Sequence, residues 1–134
     1  MKDIGELLIP DDLRYSADHE WARSEGDRVR VGITDYAQDQ LGDVVYVELP
    51  AVGAAFAEGQ TFGVVESVKA VSDLRMPAGG EVVEVNDALG GAPQLVNQSP
   101  YERGWMVVIR PSNPEEWGRL LTGPDYLRRL KGGE

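Results

Sequence analysis

A chain of 134 residues, 42% hydrophobic and 27% charged, is long enough to close one core without disulfides, metals or obligate oligomerisation, so a single unit over residues 1–134 is expected. Its formal net charge of −10 opposes phosphate backbones and anionic lipid surfaces, which argues for no nucleic acid and no membrane partner. With no cysteine and one histidine, His19, the chain has no disulfide, thiol nucleophile, Cys-ligated zinc or His-rich metal site, and no enzyme acting alone is expected. The acidity serves either solubility or steering toward basic faces of partner proteins. The amino end, Met1-Lys2-Asp3-Ile4-Gly5-Glu6, is acidic where a signal peptide is basic, and no apolar run of h-region length follows. This fits a bacterial cytoplasmic protein, or a processed organellar one in the mitochondrial matrix.

Short β-rich runs come first: Glu20–Arg23, Arg28–Ile33, Val44–Leu49, Thr61–Ser67, Val71–Met76, Glu81–Val85 and Trp105–Ile109. Val29, Val31 and Ile33 alternate with Arg28, Arg30 and Gly32, and Val45, Val47 and Leu49 alternate with Tyr46 and Glu48, so each strand is expected to turn one face inward. Between them, Thr34 or Asp35 caps a helix over Tyr36–Leu41, which Gly42 stops. Further helices are expected over about 114–131. Asn113-Pro114-Glu115-Glu116 opens the first, which Gly118 weakens without needing to end it. Gly123-Pro124-Asp125 then breaks and restarts the chain into Tyr126–Lys131. The class is mostly β, a sandwich or barrel with short peripheral and C-terminal helices.

The stretch Gly63-Val64-Val65-Glu66-Ser67-Val68-Lys69-Ala70-Val71-Ser72-Asp73 reads as a hairpin with Lys69 at its bend, because β-branched residues flank both sides. No Asn-Gly or Asp-Gly marks the turn, so its type stays open. Of the 13 basic residues, ten are arginines, and Lys2 and Lys131 lie near the chain ends, which leaves Lys69 as the sole interior lysine. Arginine supplies surface charge equally well but cannot be acylated as an amine can, so a retained lysine suggests that its amine chemistry is used. The simpler reading is a solvated turn lysine. Taken singly, Glu20, Glu66 and Asp73 are most simply solvated carboxylates, and Tyr15, Trp21, Tyr46, Trp105 and Trp117 are core or rim aromatics.

Five blocks together resemble the H proteins of the glycine cleavage system: Tyr15-Ser16-Ala17-Asp18-His19-Glu20-Trp21, Val31 to Gln38, Leu41 to Pro50, Val65-Glu66-Ser67-Val68-Lys69-Ala70, and Pro100-Tyr101-Glu102-Arg103-Gly104-Trp105. The likeness runs from about Leu13 to Ile109, and the tail resembles the family's C-terminal helices. It implies a barrel-sandwich hybrid of the lipoyl-domain kind, with lipoate amide-linked to Lys69 and Glu66 read by the lipoylating enzymes. Glu20 and Asp73 would line a cleft for the aminomethyl-bearing arm. Such a chain is a non-catalytic carrier: the pyridoxal-phosphate glycine decarboxylase (P protein) loads it, the tetrahydrofolate-dependent aminomethyltransferase (T protein) unloads it, and dihydrolipoyl dehydrogenase (L protein) reoxidises it. Tyr36, Asp18 and Arg75 depart from the commonest family pattern of histidine, serine and an uncharged residue. A lipoyl domain of a 2-oxoacid dehydrogenase complex would show Asp-Lys-Ala and a flexible linker, and a biotin carrier Met-Lys-Met. A relay protein that donates lipoate to other acceptors shares every motif.

Overall fold

The computed structural model describes residues 2–132. Met1, where the amino-end reading starts, and residues 133 and 134, which close the expected 1–134 unit, lie outside the described residues. A 3-10 turn over Ile4–Glu6 precedes the elements, in order β1 (Arg14–Tyr15), β2 (Glu20–Glu25), β3 (Arg28–Ile33), α1 (Asp35–Leu41), β4 (Val44–Glu48), β5 (Ala55–Phe56), β6 (Thr61–Ser67), β7 (Val71–Arg75), β8 (Gly80–Val85), α2 (Ala88–Gly91), α3 (Leu95–Gln98), β9 (Val107–Pro111), α4 (Glu115–Gly118) and α5 (Gly123–Leu130).

Two antiparallel sheets form, one of six strands in the order β1-β2-β3-β9-β8-β5 and one of three in the order β4-β6-β7. Their inner faces share one core, in which Val31, Val82 and Ile109 of the larger sheet meet Val47, Val65 and Leu74 of the smaller. This is the barrel-sandwich hybrid that the family resemblance implied, where the short strands alone left a sandwich or a barrel open. On the far side of the larger sheet, Leu13, Tyr15, Trp21, Tyr101 and Tyr126 make a second cluster under α5. Tyr15 and Tyr126 stack at 4.7 Å. Gly32 lies directly beneath the Trp21 indole, where an added Cβ would sit 2.7 Å from the ring. No helix among the described residues is long and apolar enough to cross a membrane.

Four readings of the secondary structure need correction. The alternation in β4 fails at Val45, which is 52% exposed beside exposed Tyr46, while Val44 and Val47 are buried. A bulge between Val44 and Tyr46 inserts one residue and shifts the phase of the strand. Gly118 does end α4, a single turn whose Glu115 amide is held by Asn113 Oδ1 at 3.1 Å. Gly123-Pro124-Asp125 is the first turn of α5 rather than a break, because Thr122 caps it by accepting from the Asp125 amide and Pro124 suits an early helical position. The last expected strand begins at Val107 instead of Trp105, whose amide turns back to Glu102 O.

Candidate functional site

β6 and β7 form the hairpin expected from the β-branched flanks, with Val68 and Lys69 at its tip. Both residues are exposed. The Ser67 amide donates to Ala70 O at 2.8 Å, and the Ser67 hydroxyl accepts from the amides of Lys69 at 3.2 Å and Ala70 at 3.1 Å. A side-chain oxygen thus takes donors that a tight hairpin gives to a backbone carbonyl, and neither Val68 nor Lys69 has a positive φ. The tip therefore needs no glycine or asparagine. The Val68 amide also donates to Asp43 O at 3.0 Å, which rests the tip on the loop between α1 and β4. Gly42 caps α1 at φ +77, and a Cβ placed there would lie 3.5 Å from Lys69 Cε, so the lysine stem runs past the end of the helix.

A cleft of about 410 Å³ opens beside this tip, between α1 and β7. Its walls begin at Ala70 and Val71, immediately after Lys69, and continue through Ile33, Ala37, Leu41, Val65 and Leu74. Asp18, His19, Glu20, Tyr36 and Asp73, with Gln40 and Ser72, supply its polar lining. The sequence thus named two carboxylates of this cleft, Glu20 and Asp73, and singled out Asp18 and Tyr36 only as departures from the family pattern, while His19 was given no place in it. His19 holds φ +71, the one positive φ outside glycine among the described residues. That conformation turns the chain before β2 and places the ring 4.8 Å from that of Tyr36. Its Nδ1 lies 2.8 Å from the Tyr126 hydroxyl, which lies 2.8 Å from Thr34 Oγ1, the cap of α1. Of the two candidate caps, Thr34 serves. Asp35 is instead buried against Lys2, Leu8 and Gln38, and the resulting hydrogen bonds hold its carboxyl below the usual range despite burial.

The reading of Glu20 as solvated is overturned. It is 2% exposed, with Oε1 accepting from the Ser16 hydroxyl at 2.7 Å and Oε2 from the Arg75 amide at 3.2 Å. Burial pushes its carboxyl up to about 8, against the pull of those two donors. Burial lowers His19, helped by Arg129 and opposed by Asp18. Asp73 is exposed, 3.7 Å from Arg75. Glu66 is half-buried on β6, in register with Tyr46 on one side and Val71 on the other. The structure therefore brings Glu20 and Asp73 together in the cleft and leaves Glu66 outside its lining.

A comparison of the chain with known families matches the glycine cleavage H-protein profile over residues 13–132. The chain belongs to the glycine cleavage H-protein family. It is 57% identical over 120 residues to the glycine cleavage system H protein of Anaeromyxobacter sp. (strain K), covering 90% of this chain and 94% of that one. It is 54% identical over 127 residues to the protein of that name from Geobacillus sp. (strain WCH70), covering 95% and 100%. Among solved structures, a glycine cleavage system H protein from Mycobacterium marinum superposes with a TM-score of 0.83 at 43% identity, covering 92% of this chain and 99% of that one. The family match extends through α5, in keeping with the likeness of the tail to the family's C-terminal helices.

Proposed function

We propose that this chain is the lipoyl carrier of a glycine cleavage system, a non-catalytic protein that serves as substrate to the system's enzymes, with lipoate amide-linked to Lys69. The observation that carries the reading is Lys69 at the exposed tip of a two-stranded hairpin, with an apolar-walled cleft of about 410 Å³ beginning at the next residue. The residues present suit the group. Acylation replaces the lysine cation with a neutral amide, so an arm can lie along Ile33, Ala37 and Leu41 without burying charge. Held on Lys69, the lipoyl group would supply the dithiolane on which the glycine decarboxylase, the aminomethyltransferase and dihydrolipoyl dehydrogenase act.

The chain's own residues present and shield the arm. Ser67 and Asp43 O fix the tip, while Asp18 and Asp73 put negative charge at the polar end of the cleft, where a cationic amine is favoured. Glu20 holds its proton at neutral pH, and a cation beside it would draw that proton off. Glu66, three residues before Lys69 in a solvent-facing row with Tyr46 and Val71, is available to the lipoylating enzymes. The described residues act as one unit in this reading, and the site of action is the bacterial cytoplasm or, for a processed form, the mitochondrial matrix.

The test is glycine-dependent NADH formation with the three partner enzymes after exposure to a lipoylating enzyme. Wild-type protein should support turnover and Lys69→Arg should not. Turnover with the folded variant would refute the carrier role of Lys69.

A further inference from the structure

We infer that Asn97, on α3, is a positioning residue for the Lys69 turn. Its side chain spans the loop on which that turn rests. Asn97 Nδ2 donates to Gly42 O at 2.9 Å, Asn97 Oδ1 accepts from the Val44 amide at 2.9 Å, and both contacts flank Asp43. Asp43 O is the acceptor for the Val68 amide at 3.0 Å, one residue before Lys69. The same Nδ2 donates to Gln38 Oε1 at 3.0 Å, and Gln38 Nε2 donates to the buried Asp35 carboxylate at 2.7 Å.

The loop between α1 and β4 is two residues long, and it faces two demands. Gly42 must leave the helix at positive φ, and the bulge at Val45 must start immediately after Val44. Neither feature fixes where Asp43 O points. Asn97 supplies that constraint, because one planar amide engages the carbonyl before Asp43 and the amide after it, so the Asp43 carbonyl cannot swing away from Val68 without breaking one of the two. A carboxylate at this place would keep the Val44 contact and put an oxygen against Gly42 O and Gln38 Oε1, which are acceptors. The amide is therefore the side chain whose donor and acceptor match the site. Removing it should leave the fold intact while the tip samples conformers in which Val68 is unanchored. A lipoylating enzyme that needs the anchored form then meets a lower competent fraction, and its apparent affinity falls by that fraction while the bound reaction is unchanged.

This inference rests on the proposed lipoylation of Lys69, so the test reads the turn both with and without that chemistry. Unmodified wild type, Asn97→Ala and Asn97→Asp are compared by amide hydrogen exchange and as substrates of a lipoylating enzyme. Asn86→Ala serves as control, since Asn86 likewise ties a loop through two carbonyls, Arg103 O and Trp105 O, but touches nothing near Lys69. Both Asn97 variants should exchange the Val68 amide about tenfold faster and raise the KM for lipoylation about tenfold at unchanged kcat, with no such change in Asn86→Ala. Wild-type exchange at Val68 in the folded Asn97 variants, or an equal KM rise in the control, overturns the role of Asn97. A wild type that is not lipoylated, with Val68 exchange still dependent on Asn97, overturns the proposed function and leaves the clamp standing.

Discussion

Replacing Glu20 by glutamine should reshape the pH dependence of stability in a direction opposite to that of an ordinary acid. Burial raises this carboxyl from 4.5 to about 8, so the native state binds the proton more tightly than the unfolded chain. The stabilisation is complete below pH 4.5, declines as pH rises through the window up to 8, and is absent above it. At about 1.4 kcal/mol per pH unit, the window corresponds to about 5 kcal/mol at most. Glutamine is neutral throughout and can still accept from the Arg75 amide. Urea unfolding of both proteins between pH 4.5 and 9 isolates the effect, because His19 and Asp35 contribute equally to both curves. Relative to wild type, Glu20→Gln should gain several kcal/mol between pH 5 and 8 and hold that gain above. A stability difference that stays constant with pH would refute the reasoning that Glu20 is buried with its proton on.

Other changes test the remaining parts. Ser67→Ala removes the hydroxyl that takes the Lys69 and Ala70 amides; it should cost about 1 kcal/mol in denaturant unfolding and speed exchange of those two amides. Gly32→Ala drives a methyl into Trp21 and should lower stability by about 1–3 kcal/mol, with a changed Trp fluorescence spectrum. Thr34→Ala loses the α1 cap and a buried partner of Tyr126; about 2 kcal/mol should be lost in thermal or urea unfolding.

Where the chain repeats a simple period, the residues showed the fold. Arg28–Ile33 and Thr61–Ser67 appear with the bounds their β-branched spacing suggests, and flanking valines were enough to put Lys69 at a bend. Features that depend on three-dimensional neighbours were not legible. The bulge at Val45 shifts the face of β4 because of pairing with β6, and nothing in Val44-Val45-Tyr46-Val47 marks it. The four-residue helices α2 and α3 are too short for a periodic signal. Glu20 reads as a surface acid because burial comes from β2 entering the larger sheet beside the cleft, with Ser16 and Arg75 supplying the donors. His19 stood in the sequence only as the single histidine and as part of a family-like block, since its place in the cleft follows from a left-handed turn and from Tyr126, far along the chain.

The central claim, that Lys69 bears the cofactor, is tested most directly by peptide mapping with mass spectrometry after the protein is produced alongside a lipoylating enzyme. The account predicts lipoate on the peptide containing Lys69, with Lys2 and Lys131 unmodified. Lipoate on either of those lysines, or a Lys69 that stays a free amine while a known acceptor in the same cells is loaded, would contradict it.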